Sequence, residues 1–175
     1  MLDRVANRLQ QEPWFKDGWL VDVHFFPAAP QEPESVTMHV SRPHWFNEDG
    51  QGIHFEGQFG PKQWAKLEIP LMLHVFHGAT IPGTKIKRMA VTKPLVDNNY
   101  DLIASWPGYS FRVGRYGTQS FSCTLVLAEH ITQSKSQCTN VEEQFEIMVS
   151  DEISRLCRTL GPAIDQALAA ALASA

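Results

Sequence analysis

Residues 52–59, GIHFEGQF, decide the reading of the fold because their side chains change character at every step. Ile53, Phe55 and Phe59 share one parity, and His54, Glu56 and Gln58 share the other. Successive residues of a strand point to opposite sides, so the segment predicts a strand with one apolar and one polar face. The same alternation recurs on either side of it. In Trp19–Phe26, Val21, Val23 and Phe25 oppose Leu20, Asp22, His24 and Phe26. In Ser35–Ser41, Val36, Met38 and Val40 oppose Thr37 and His39. In Ile69–His77, Leu71, Leu73 and Val75 oppose Met72, His74 and Phe76. Pro27, Pro30 and Pro33, then Asn47–Gly52, then Gly60-Pro61 punctuate the connections. Tyr109–Val113 and Gln119–Ala128, joined by the glycines of GRYGT, predict a final hairpin.

Helical signals lie mainly at the two ends. Leu2, Val5, Ala6 and Leu9 recur at the spacing of one helix face. Pro61–Leu67 reads as one or two helical turns, and residues 94–105 as a helix with Pro94 at its first position. Thr139 with Glu142, or Asn140 with Glu143, offers a capping box for a long C-terminal helix. Its stripe runs through Phe145, Met148, Ile153, Leu156, Cys157 and Leu160. Gly161-Pro162 is expected to break it from a second, Ala-rich helix carrying Ile164, Leu168 and Leu172. Strands in succession with helices at the ends define an α+β domain over residues 1–175. Its antiparallel sheet has about six strands, with the N- and C-terminal helices packed on one face.

The chain has 175 residues, 43% of them hydrophobic and 19% charged, the balance of a globular domain rather than a disordered one. Its net charge of −4 argues against a surface that tracks nucleic acid throughout. The segment from Lys85 to Arg115 is nevertheless +4, against −8 for the remainder. Lys85, Lys87, Arg88 and Arg115 are therefore candidate anion-binding residues, and this island is one route to phosphate or nucleic acid. Cys123, Cys138 and Cys157 form no CxxC pair, which fits free thiols in a reducing compartment. With no secretory leader and no long apolar run, the expectation is a cytoplasmic chain without a membrane span.

If the strands share one sheet, its polar face displays Asp22, His24, His39, His54, Glu56, His74, Phe76 and Arg112. Four imidazoles beside two carboxylates and several apolar side chains suggest a binding surface. The function expected from this is a non-enzymatic, chaperone-like binding or adaptor protein that holds a protein segment or small ligand. The Ala-rich C-terminal helix would suit a homodimer.

A metal-dependent enzyme is the alternative. His54-Phe55-Glu56 has the H-x-E spacing of a two-histidine, one-carboxylate iron site, and zinc is equally open. His54, Glu56 and His74 form the candidate ligand set, with His24 or His39 as other third ligands. His77 and His130 are candidates for the distal ligand of an iron triad. His74 and His77, three residues apart, would leave a continuous strand on opposite sides, which counts against them as a chelate. The chain contains no HExxH, GxSxG, Walker or GxGxxG motif, so no particular cofactor is assigned.

Overall fold

In the computed structural model, which describes residues 2–30, 33–66, 68–110, 119–126 and 140–174, four consecutive strands run up and down beside one another. They are β1 (Leu20–Phe26), β2 (Ser35–Ser41), β3 (Ile53–Phe59) and β4 (Glu68–Val75). Beyond β4 lie β6 (Gln119–Val126) and the two-residue β5 (Tyr109–Ser110), in the order β1-β2-β3-β4-β6-β5. Every pairing is antiparallel. The fold is therefore α+β around an antiparallel sheet, with helices at both ends of the described chain.

The apolar parity of each strand makes the core. Met38, Val40, Ile53, Phe55, Ile69, Leu71, Leu73 and Val75 are buried in one cluster with the helices. α1 (Leu2–Gln11) contributes Leu2, Val5, Ala6 and Leu9, the face its spacing predicts. It lies against β1 and β2, and α4 (Val141–Ala173) packs beside it and against β3. Phe145, Val149, Ile153, Leu156, Leu160 and Ile164 form the buried stripe of α4. Burying such side chains contributes roughly 1.5–3 kcal/mol each. Trp14, Trp19, Trp45 and Phe55 meet edge to face or tilted, with successive ring centroids 5.3–6.0 Å apart, and fix where the 3-10 turns at 13–16 and 43–45 cross the core.

Two expectations about helices need correction. α2 (Pro61–Lys66) agrees with the short helix read from the sequence, but α3 starts at Met89 and runs to Ala104, so Pro94 sits inside it rather than at its first position. Gly161-Pro162 does not divide the C-terminal helix, which is continuous from Val141 to Ala173. Pro162 removes the amide that would bond the carbonyl of Arg158. Both residues are exposed, so water can satisfy that carbonyl. Gly161 is required for another reason: a Cβ there would stand 2.8 Å from the Trp19 ring. At its start, the Asn140 side chain caps α4 by accepting from the amide of Glu142. In the Ala-rich end of α4, Ala167 and Ala171 are buried within the chain's own fold, while Ala169, Ala170 and Leu172 are exposed. Among the described residues no helix is long and apolar enough to cross a membrane.

Candidate metal centre

The polar parity of the same strands brings the candidate site together. Asp22 is in register with His39, His39 with Glu56, and His54 with His74, so these side chains stand on one side of one sheet. Their rings form a ladder across it. His24 to His39 is 5.0 Å between centroids, His39 to His54 is 4.0 Å, and His54 to His74 is 5.0 Å. Glu56 lies between them. Its Oε2 is 2.9 Å from His74 Nε2, 3.6 Å from His54 Nε2 and 3.9 Å from His39 Nε2. Asp22 and His24 sit at the open β1 end, both exposed.

His77 joins the cluster against the strand-parity argument. β4 stops at Val75, and Phe76 takes a left-handed conformation with φ of 53°. That single residue reverses the alternation. Phe76, expected on the binding face, turns into the core, where it is 1% exposed and faces Phe46. His77 then comes round to His74, with centroids 5.2 Å apart and planes within 5°. The guanidinium of Arg88 holds this turn by donating to the carbonyls of Phe76, His77 and Gly78. Arg88, counted from the sequence among the anion-binding residues, is therefore committed to the backbone. Lys85 and Lys87 remain exposed on the small loop closed by the Thr80–Lys87 bridge, while Arg112, Arg115 and His130 lie outside the described residues.

The electrostatics of the cluster are unusual for a buried set. Asn47 Oδ1 can only accept, so the 2.8 Å contact to His54 Nδ1 places the proton on that nitrogen. His54 Nε2 then presents a lone pair to the Glu56 carboxylate. His54 Nε2, both ring nitrogens of His74 and His39 Nδ1 are buried without an aligned hydrogen-bond partner. Burial pushes His39 down to about 3, helped by the neighbouring His54 and opposed by Glu56. It also lowers His54 and His77 below their ordinary value. Burial alone would raise Glu56, but the surrounding imidazoles, with His74 Nε2 the nearest at 2.9 Å, outweigh it and hold the carboxyl well below the usual range. At neutral pH the geometry therefore combines the neutral imidazoles of His39, His54 and His77 with an ionised carboxylate, the protonation states of metal ligands.

Two overlapping sets can each bring their ligand atoms within 4.8 Å of one another: His54, His74 and His77, and His39, His54 and Glu56. Donors around one ion at about 2.1 Å stand roughly 3.0–3.4 Å apart, the range that the Glu56 contacts straddle. The Asn47 contact is the outer-sphere bond that usually fixes a ligating imidazole. It comes from the 46–52 connection, which folds over this side of the sheet so that a Cβ at Gly50 would lie 3.5 Å from His39 Cε1. Cys157 takes no part: it is fully buried in the opposite layer, and burial raises its thiol well above the ordinary range. No family model matches the chain, and no curated protein or solved structure is similar to it.

Two predictions follow from this geometry. The lowered His39, His54, His77 and Glu56 mean that the unfolded chain takes up protons first as pH falls. Stability of the metal-free chain is then fullest above the ordinary histidine value of about 6.5 and declines towards pH 3. His39 alone should account for about 2 kcal/mol between pH 6.5 and 5, at ~1.4 kcal/mol per unit. Urea unfolding across that range measures it, and His39→Asn should flatten the slope by one group's share. An equally steep profile in the variant would assign the slope elsewhere. Arg88→Met should cost about 2–3 kcal/mol through the lost charged hydrogen bonds. It should also weaken metal uptake, because the turn that carries His77 loses its clamp. A variant as stable as the wild type would show that the turn holds itself.

Proposed function

We propose that this chain is a metal-binding protein whose sheet face holds one divalent transition-metal ion through His54. Either His74 and His77 or His39 and Glu56 complete the set. One observation carries the reading: buried imidazole nitrogens without hydrogen-bond partners converge on an ionised carboxylate, with His54 turned by Asn47 so that its lone pair points inward. Two acceptors facing each other in a poorly solvated site repel, and a cation between them removes the conflict. Imidazole and carboxylate donors favour zinc, iron, nickel, copper or manganese over calcium or magnesium. The exposed His77 leaves its end of the ladder accessible, so a small molecule could reach a bound ion from that side.

The sheet-face binding role expected from the sequence thereby acquires a definite ligand. Gripping a protein segment with the same surface has less support, because its central imidazoles are buried against one another. The phosphate or nucleic-acid reading loses Arg88 to the backbone. Titration of the chelator-treated chain with cobalt(II), followed by its visible spectrum, tests the proposal beside elemental analysis of the protein as purified. One equivalent should bind with nitrogen and oxygen donors, and the double variant H54Q/H74Q should bind none. Absence of uptake by the wild type, or equal uptake by the double variant, would overturn it.

A further inference from the structure

A cleft of about 760 Å³ lies on the other side of the turn that carries Asn47. Phe46, Pro82, Leu168 and Leu172 supply its apolar wall, and Glu48 and Asp49 stand at its edge. Its size is within the usual range for small-molecule sites. Asp165 also lines it, but its carboxylate already accepts from Arg42, His44 and the Trp45 indole. Arg42 in turn lies over the Trp19 ring, so this guanidinium is committed on both sides. Glu48 and Asp49 make no ion pair among the described residues, Asp49 Oδ1 accepting from the amide of Gln51, and no lysine or arginine lines the cleft. An apolar wall beside two carboxylates without an ion-pair partner complements a ligand with an apolar body and a cationic end.

The wall is also preformed. Phe46 holds a left-handed conformation with φ of 57°, uncommon for an aromatic residue and often associated with ligand-contacting segments. Its ring is braced by Phe76, 6.2 Å away between centroids, and the backbone of residues 45–46 is pressed against Gly52. Little reorganisation is then needed on binding.

We propose that this cleft binds a small organic ammonium compound, its hydrocarbon part against Phe46, Leu168 and Leu172 and its charge at Glu48 and Asp49. Calorimetric titration with 2-phenylethylamine and with 3-phenylpropanoate, its carboxylate counterpart of similar size, distinguishes charge from bulk. The amine should bind with a dissociation constant below about 1 mM, and the carboxylate at least tenfold more weakly. The E48Q/D49N variant should bring the two within about twofold, because the amides keep the shape and remove the charge. Ala169→Phe, a substitution at an exposed position lining the cleft, should abolish amine binding while the melting temperature stays at the wild-type value. The proposal falls if the amine does not bind, if the carboxylate binds as tightly, or if amine binding survives in a folded A169F chain.

Discussion

Zinc added to the metal-free chain at a thousand times its dissociation constant is expected to stabilise the fold by about 4 kcal/mol. For a chain of this size that is a rise in melting temperature of roughly 8–16 °C. The increment arises because the unfolded chain cannot hold the donors of the site together. His54→Gln should remove most of it, since His54 belongs to both ligand sets and is almost fully buried between His39 and His74. Asn47→Ala leaves every ligand in place but frees the ring to rotate, so affinity should fall about 10–100-fold. At fixed zinc the stabilisation then drops by about 1.4–2.7 kcal/mol. Calorimetric melting of the three proteins with and without zinc makes the comparison. Equal zinc shifts in wild type and H54Q would show that the ladder is not the site.

The second large effect belongs to Gly52. A Cβ placed there would meet Phe46 O at 2.1 Å, Phe46 C at 2.2 Å and Trp45 O at 2.5 Å. All three are backbone atoms, and the backbone that carries them cannot easily retreat. Trp45 is fully buried against Trp19 and Phe55, and Phe46 is braced by Phe76. Gly52→Ala should therefore cost about 3–5 kcal/mol, near the upper end for single substitutions. Gly57→Ala is the matched comparison. Its added methyl would meet Leu71 Cδ2 at 3.3 Å, the end of a side chain that can rotate, so its cost should stay under about 1.5 kcal/mol. Urea unfolding of the pair measures the difference, and similar midpoints would mean that the 45–52 connection yields readily.

The parts of the molecule legible from the sequence are those governed by period. Alternation along residues 20–26, 35–41 and 53–59 places Asp22, His24, His39, His54 and Glu56 on one side of the sheet, and the registers agree. The recurrence of Leu2, Val5, Ala6 and Leu9 likewise identifies the buried side of α1. Alternation misleads where one residue leaves the strand conformation. Nothing in Phe76 marks it for a left-handed φ, a state that glycine or asparagine adopts far more readily. Alternation therefore puts Phe76 on the wrong side and leaves His77 out of the chelate. Only the Gly78 that follows hints that the strand is about to end. The Asn47–His54 bond was equally hidden, because it spans an irregular connection with no period to read. The gathering of Arg42, His44 and Trp45 around Asp165 crosses some 120 positions and leaves no local trace. Proline rules failed at Pro162 because they describe a helix with no tertiary support, whereas this helix is buried along one stripe on both sides of the break.

The ligands of the proposed centre, His39 to His77, all come from the consecutive strands β2, β3 and β4 and the turns around them. Assembling that meander closes only short loops, whereas covering its other side requires α1 and α4 from opposite ends of the chain. An ion captured by the meander would thus reward a local event before the costly distant one, and entropy favours that order. Refolding started with zinc already present should outpace refolding in chelator, with the ion acting as a template for three strands rather than as a late passenger.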